Sequence, residues 1–284
     1  MIPPIAAFER VVTLALAEDL NAAGDITTDA VIPAETTVHA EIRSRQSGRV
    51  AGLDCIAIAL SKFPEPAHAT VVAGDGSDVG PGDTVVRLSG AARTVLSAER
   101  TILNLLCRLS GIATATAAAM RQINGHRAVI KDTRKTTPGL RALEKYAVAV
   151  GGGVNHRFGL HDAVLIKDNH IGLAGSITSA VDRVRSRHGA LTPIQVEVDS
   201  LEQLDEALRC RVNAVLLDNL SIDQLRQAVK VVAGRCLTEA SGGITLANVR
   251  EVAATGVDAI SLGWLTHSAP ALDLGLDIVA PQQA

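Results

Sequence analysis

From residue 128 onward, six short apolar runs each end in a polar residue or a glycine: AVIKD at Asp132, AVLIKD at Asp168, IQVEVD at Asp199, AVLLD at Asp218, LTEASGG at Gly243 and AISLG at Gly263. The residues around these endings fall into three chemical sets. The first is cationic: Arg134, Lys135, Arg157 and Lys167, with His156 adjacent. Arginine offers a planar fork matched to carboxylate and phosphate oxygens, and lysine a compact point charge. The second is acidic: Glu197 and Asp218, at matching positions of consecutive runs, suit a hard cation such as Mg²⁺ or a positively charged sugar transition state. The third is glycine: Ser241-Gly242-Gly243 and the loop from Gly263 can turn backbone N–H groups toward an anion. Segment 131–170 alone holds seven of the 27 Lys and Arg and three of the eight His, although the chain carries a net charge of −3. Solvated helix surface accounts for Arg141, Glu144 and Lys145, whose spacing permits intrahelical pairs. Helix capping accounts for Asp199 and Asn219, and a helix C-cap for Gly151-Gly152-Gly153.

These groups need a scaffold that gathers strand ends. Each apolar run is followed by a helical pattern, and helix starts fit between them: Thr137-Pro138 as cap and first turn, SLEQ at 200–203 and SIDQ at 221–224 as capping boxes. Alternating buried strand and helix implies a parallel sheet. The period of roughly 21–23 residues suits a βα barrel, whose functional groups collect at the C-terminal strand ends and whose last two loops often hold phosphate. Six strands are fewer than eight, so the barrel is expected to be incomplete or to borrow a strand. The first 110 residues read differently. FERVVTLALAEDL fits an amphipathic helix, TVHAEIRSR a strand, and VVAGDGSDVGPGDTVVRLSG a set of hairpins. The hairpins resemble biotin- and lipoate-carrying domains, but no lysine occurs between Lys62 and Lys131, so their role is structural. A long helix follows from SAERTILNLL, with Ser97 as its cap and Gly111 marking a bend or a close approach.

Composition narrows the function. Aromatics are 2% of the chain and the pI is near 6.2, which argues against stacking platforms and basic surfaces for nucleic acid. The N-terminal MIPPIAAFERVV lacks the pattern of a secretory signal, and charges are expected to break every apolar run short of a membrane span. The four cysteines show no zinc or CxxC spacing and fit a reducing, cytoplasmic setting. Together the three sets call for a ligand with a phosphate, a metal-bound polyphosphate and a carboxylated portion; phosphoribosyl pyrophosphate with an aromatic acid fits, and composition alone does not choose it over other anionic pairs.

DTRKTTPGLRALEKYAVAVGGGVNHRFGL, LIKDNH, EVDS, LLDN and SGG resemble the quinolinate phosphoribosyltransferase family, as do EDLNAAGDITT and SAERTILNLL near the N-terminus. The similarity runs over nearly the whole chain. It implies an α/β sandwich domain over 1–110 with a C-terminal return at 268–284, beside an incomplete, type II phosphoribosyltransferase-like α/β barrel over 111–267. It implies a homodimer sharing its active sites, Arg100 of SAERT crossing the interface. By motif, Arg134, His156, Arg157 and Lys167 would hold the two carboxylates of quinolinate, and Thr133 would join them in binding substrate. Lys135 would approach the pyrophosphate, Glu197 and Asp218 would bind ribose hydroxyls and Mg²⁺, and Ser241 to Gly243 with Gly263 and Trp264 would cradle the 5′-phosphate. Trp264 stands where a small residue is expected. Lys135, Lys167, Glu197 and Asp218 are the expected catalytic groups. Two other readings remain: a nicotinate phosphoribosyltransferase of the same architecture, which has no use for so many cations, and a non-enzymatic phosphosugar-binding regulator, which has no use for both acidic strand ends.

Overall fold

The structure, a computed structural model, describes residues 5–279. The first four residues of the stretch read for a signal, and 280–284 of the expected return, lie outside the described residues. The chain begins α1 (Ile5–Leu20), α2 (Ile26–Val31), β1 (Thr37–Ser44), β2 (Gly48–Arg49), α3 (Asp54–Leu60), β3 (Ala67–Val71), β4 (Asp78–Val79), β5 (Thr84–Ala91) and α4 (Ala92–Gln122). It continues with β6 (Val129–Lys131), α5 (Arg141–Val150), β7 (Val164–Ile166), α6 (Asp168–Ala174), α7 (Ile177–His188), β8 (Ile194–Val198), α8 (Leu201–Arg209) and β9 (Ala214–Asp218). Last come α9 (Ile222–Val232), β10 (Leu237–Ser241), α10 (Val249–Ala253), β11 (Ala259–Ser261), α11 (Trp264–His267) and β12 (Leu274–Val279). Two compact units result: residues 1–117 with 136–152 and 265–284, and residues 118–135 with 153–264.

The first unit is built on an antiparallel sheet ordered β12-β1-β5-β3, with a small β2-β4 ribbon. The return strand β12 pairs along β1 from Ser44↔Leu274 to His39↔Val279. Helix α4 starts five residues before Ser97, so that serine is no cap; its hydroxyl donates to Asp25 Oδ2 at 3.0 Å. A side chain at Gly111 would meet the Pro270 carbonyl oxygen at 2.0 Å, so the glycine serves close packing. By length and composition α4 could cross a membrane, contrary to the expectation that charge breaks every such run. Its central LSGIATATAAAM is uncharged, and 72% of its most apolar window is buried, as in a core helix.

Helix α5 also departs from expectation. It starts at Arg141 behind a turn, not at Pro138, and the Thr137 amide and hydroxyl both donate to Glu144, at 3.0 and 2.8 Å. Glu144 is fully buried and Lys145 nearly so, not solvated. The partner that makes burial possible, Arg108 with Nη2 2.8 Å from Glu144 Oε1, lies 36 residues away, beyond any local spacing rule. Gly151 does cap α5, and a Cβ there would meet Thr116 at 2.6 Å.

The second unit is a six-stranded parallel sheet ordered β6-β11-β10-β9-β8-β7. This is the cyclic order of a βα barrel with one pairing missing: among the described residues no ladder joins β6 to β7. Val154 lies on the open edge of β6, bridging Lys131 and donating its amide to the Ile130 carbonyl at 2.8 Å. Ile130, Val196, Val198, Val215, Leu217, Ala240 and Ile260 are fully buried and Ile166 nearly so, which gives each strand a packed face. Strand alternation then sends the residues between them to the other face.

Candidate active site

That alternation aims Leu165 and Lys167 of β7 and its end, Glu197 of β8, Leu216 and Asp218 of β9, Ser241 of β10 and Ser261 of β11 into one cavity of about 590 Å³. The β6 end adds Thr133, Arg134 and Lys135, and the edge segment after Val154 adds His156 and Arg157. All lining residues belong to the second unit. The cavity is in the size range of ordinary small-ligand sites.

Its cationic side is built locally. The buried Asp132 accepts the His156 amide at 2.8 Å, fixing the edge segment to the end of β6. The Arg157 guanidinium donates through Nη1 to the Ala163 carbonyl at 2.9 Å. Burial, and then the neighbouring Arg134 charge, pulls the Arg157 guanidinium below its ordinary range, with Asp162 opposing. Cations that disfavour each other are relieved by an anion between them. Lys135 is exposed, and its amide donates to the Thr133 hydroxyl at 3.0 Å.

The acidic and cationic sets meet at one contact, Lys167 Nζ to Glu197 Oε2 at 2.5 Å. Asp218 accepts Asn219 Nδ2 at 2.7 Å. Asn219 does not cap a helix, and neither does Asp199; Ser221 and Ser200 do. Asn219 instead sits against Gly242, where an added Cβ would lie 2.1 Å from its Oδ1, and Gly242 has φ +93°. Only glycine fits there. The SGG loop leads into a Thr245–Asn248 turn before α10, so its anion-binding capacity comes from loop N–H groups rather than a helix start. Among the described residues no three His, Cys, Asp or Glu side chains form a metal cage. Two carboxylates on adjacent strands do fit Mg²⁺ that keeps water and substrate oxygens as its other ligands.

Three expected site residues do not line this cavity. Arg100 is an exposed residue of α4 in the first unit. Gly263 lies beyond the lining, and Trp264 Nε1 donates to the Ile244 carbonyl at 3.0 Å, tying the last loop to the SGG loop. Four lining residues were not foreseen: Leu165, Leu216, Asn219 and Ser261. Leu165 and Leu216 lie two residues before a polar ending, a signal that period-2 counting could have supplied.

Residues 25–110 match the N-terminal domain of quinolinate phosphoribosyl transferase, and residues 112–277 its C-terminal domain. The chain is 47% identical over 269 residues to the nicotinate-nucleotide pyrophosphorylase [carboxylating] of Mycobacterium leprae, covering 93% of this chain and 94% of that one. It is 42% identical to the probable counterpart in Bacillus subtilis, covering 94% and 92%. The crystal structure of nicotinate-nucleotide pyrophosphorylase from Ehrlichia chaffeensis superposes with a TM-score of 0.92 at 40% identity, covering 96% and 98%.

Proposed function

The chain belongs to the quinolinate phosphoribosyl transferase family, and from that premise we propose that it joins quinolinate to phosphoribosyl pyrophosphate, giving nicotinate mononucleotide, pyrophosphate and CO₂ in NAD biosynthesis. The observation that carries this reading is the single cavity in which Arg134, Arg157 and Lys167 face Glu197 and Asp218, with Ser241 to Gly243 at its rim. A diacid and a polyphosphate repel each other; cations on one side and a phosphate loop on the other hold them in register.

The pyridine nitrogen attacks C1 of the ribose as the C1–O bond to pyrophosphate breaks. Glu197 and Asp218 oppose the positive charge that develops on the sugar and hold its hydroxyls. Lys135, exposed at the rim, meets the leaving pyrophosphate. Glu197 and Asp218 are the residues that would hold Mg²⁺, which would supply neutralising charge for that leaving group. The pyridine nitrogen becomes cationic, so the ring can accept the electron pair left when the adjacent carboxylate departs as CO₂; a proton then replaces it. Arg134, Arg157 and Lys167 bind the two carboxylates. Because Lys167 also touches Glu197, it joins the acid-binding half of the site to the sugar-binding half.

We further propose a homodimer in which Arg100 of one protomer completes its partner's site; its exposure supports that role. Four free thiols support a cytoplasmic setting. Purified protein is tested with quinolinate and phosphoribosyl pyrophosphate, with and without Mg²⁺, following both pyrophosphate and CO₂. Equal release of the two, dependent on Mg²⁺, is expected. Turnover of nicotinate without CO₂ overturns the assignment.

A further inference from the structure

Glu239 lies on β10 two residues before Ser241, on the same face but one step deeper. It is 2% exposed. Its carboxylate accepts Lys131 Nζ at 2.9 Å, Gln195 Nε2 at 3.2 Å and the Ser261 hydroxyl, and faces His156 Nε2 at 3.4 Å. Burial works to raise this carboxyl, but His156, Lys131 and Ser261 together outweigh it, and the group is held below the ordinary carboxylate range. A buried ionised carboxylate persists only with such partners. Here the partners come from β6, β8, β11 and the edge segment, and two of them, His156 and Ser261, line the cavity.

The hydrogen bonds around His156 fix what its ring can do. Nδ1 accepts the Arg157 amide N–H at 2.7 Å. A ring nitrogen that accepts carries no proton, so the proton sits on Nε2, toward Glu239. Nδ1 therefore faces the Arg157 backbone and Nε2 the Glu239 carboxylate. Lys131 donates to Glu239 at 2.9 Å, and His156 Nε2 lies 3.4 Å from the same carboxylate. His156 thereby does more than line the cavity. It is a link between a buried carboxylate and the backbone of Arg157.

We propose that Glu239 is a positioning residue for the acid-binding side: it holds His156 in the Nε2–H tautomer, so that Nδ1 accepts the Arg157 amide and Arg157 stays aimed into the cavity. This rests on the role given above to Arg157 in binding quinolinate. Outer partners that fix a histidine's tautomer are a general way of orienting the groups that touch ligand.

Steady-state kinetics of Glu239→Gln, Arg157→Ala and the double variant provide the test. Glu239→Gln is expected to raise KM for quinolinate about tenfold, while KM for phosphoribosyl pyrophosphate and kcat change less than about twofold. In the Arg157→Ala background the same change is expected to move quinolinate KM less than about twofold. Equal effects in both backgrounds, or equal rises in both KM values, overturn the proposal. Should Glu239→Gln fail to fold, His156→Asn and His156→Ala replace it. Asn keeps an acceptor near the Nδ1 position and is expected to recover most of the quinolinate affinity that Ala loses; equal impairment contradicts the link. ¹⁵N NMR of His156 reads the tautomer without turnover. A pyridine-like Nδ1 is expected, and a protonated Nδ1 overturns the inference even in an active enzyme. Inactivity of the unaltered protein on quinolinate would instead reject the proposed function.

Discussion

Two buried glutamates, one in each unit, differ in what their partners do. Glu144 is tied to Arg108, to the Thr137 amide and to the Thr137 hydroxyl, while Arg108 also donates to the carbonyls of Ala269 and Thr266. Those partners end in backbone, so the carboxylate works as a clasp between chain segments. Glu239 is tied to Lys131, Gln195, Ser261 and His156, and two of these open into the cavity. Both ionic groups are costly to bury and both are satisfied. The direction in which the network continues separates a structural carboxylate from one that supports a site.

The largest expected effect follows from the clasp. Glu144→Ala leaves the Arg108 charge and the Thr137 amide without their acceptor and should cost about 3–5 kcal/mol of stability, read by chemical denaturation. KM values of the protein that remains folded should be unaltered. A variant that kept its stability but lost quinolinate affinity would break the comparison. Next, Arg134→Ala removes a cavity-lining cation proposed to bind quinolinate. It should lower kcat/KM by roughly 2–3 kcal/mol of transition-state stabilisation, with unfolding scarcely moved. Near-wild-type turnover would remove Arg134 from the site.

A smaller effect is expected at Lys167, whose side chain is 45% exposed. Paired from the solvent side with the mostly buried Glu197, it adds about 1 kcal/mol to stability, so Lys167→Ala should shift unfolding little. Its kinetics sharpen the picture: a rise in quinolinate KM marks carboxylate binding, a fall in kcat marks help with decarboxylation, and neither change excludes it. The mildest test lies on the antiparallel sheet. Hydrogen bonds from Arg43, Arg87 and Thr84 hold the Glu41 carboxyl at about 2, against an ordinary 4.5. The folded pKa is depressed, so the stabilisation is present above the ordinary value and fades as pH falls toward 2. NMR titration should place the Glu41 midpoint well below that of exposed glutamates; an ordinary midpoint would mean that those contacts do not hold in solution.

Much of the second unit was legible because its rule is local. An apolar run of three to six residues followed by a helical pattern locates a βα unit, and all six runs became strands of one parallel sheet. Strand endings then named Lys167, Glu197, Asp218 and Ser241 as neighbours. Glu239 is less legible because it precedes the ending SGG, although counting back by two from Ser241 points to it. Glu144 and Lys145 were misread for a different reason. Charges at 141, 144 and 145 look the same whether water or a distant Arg108 receives them, and no spacing rule spans 36 residues. The start of α4 was missed by five residues because Ser97 fits a cap in sequence, while its actual partner, Asp25, lies 72 residues away.

The most direct test is simultaneous measurement of CO₂ and pyrophosphate from the unaltered protein supplied with quinolinate, phosphoribosyl pyrophosphate and Mg²⁺. One CO₂ released per pyrophosphate, with nicotinate inert as acceptor, is the predicted result. Pyrophosphate formed with nicotinate and no CO₂ from quinolinate would contradict it.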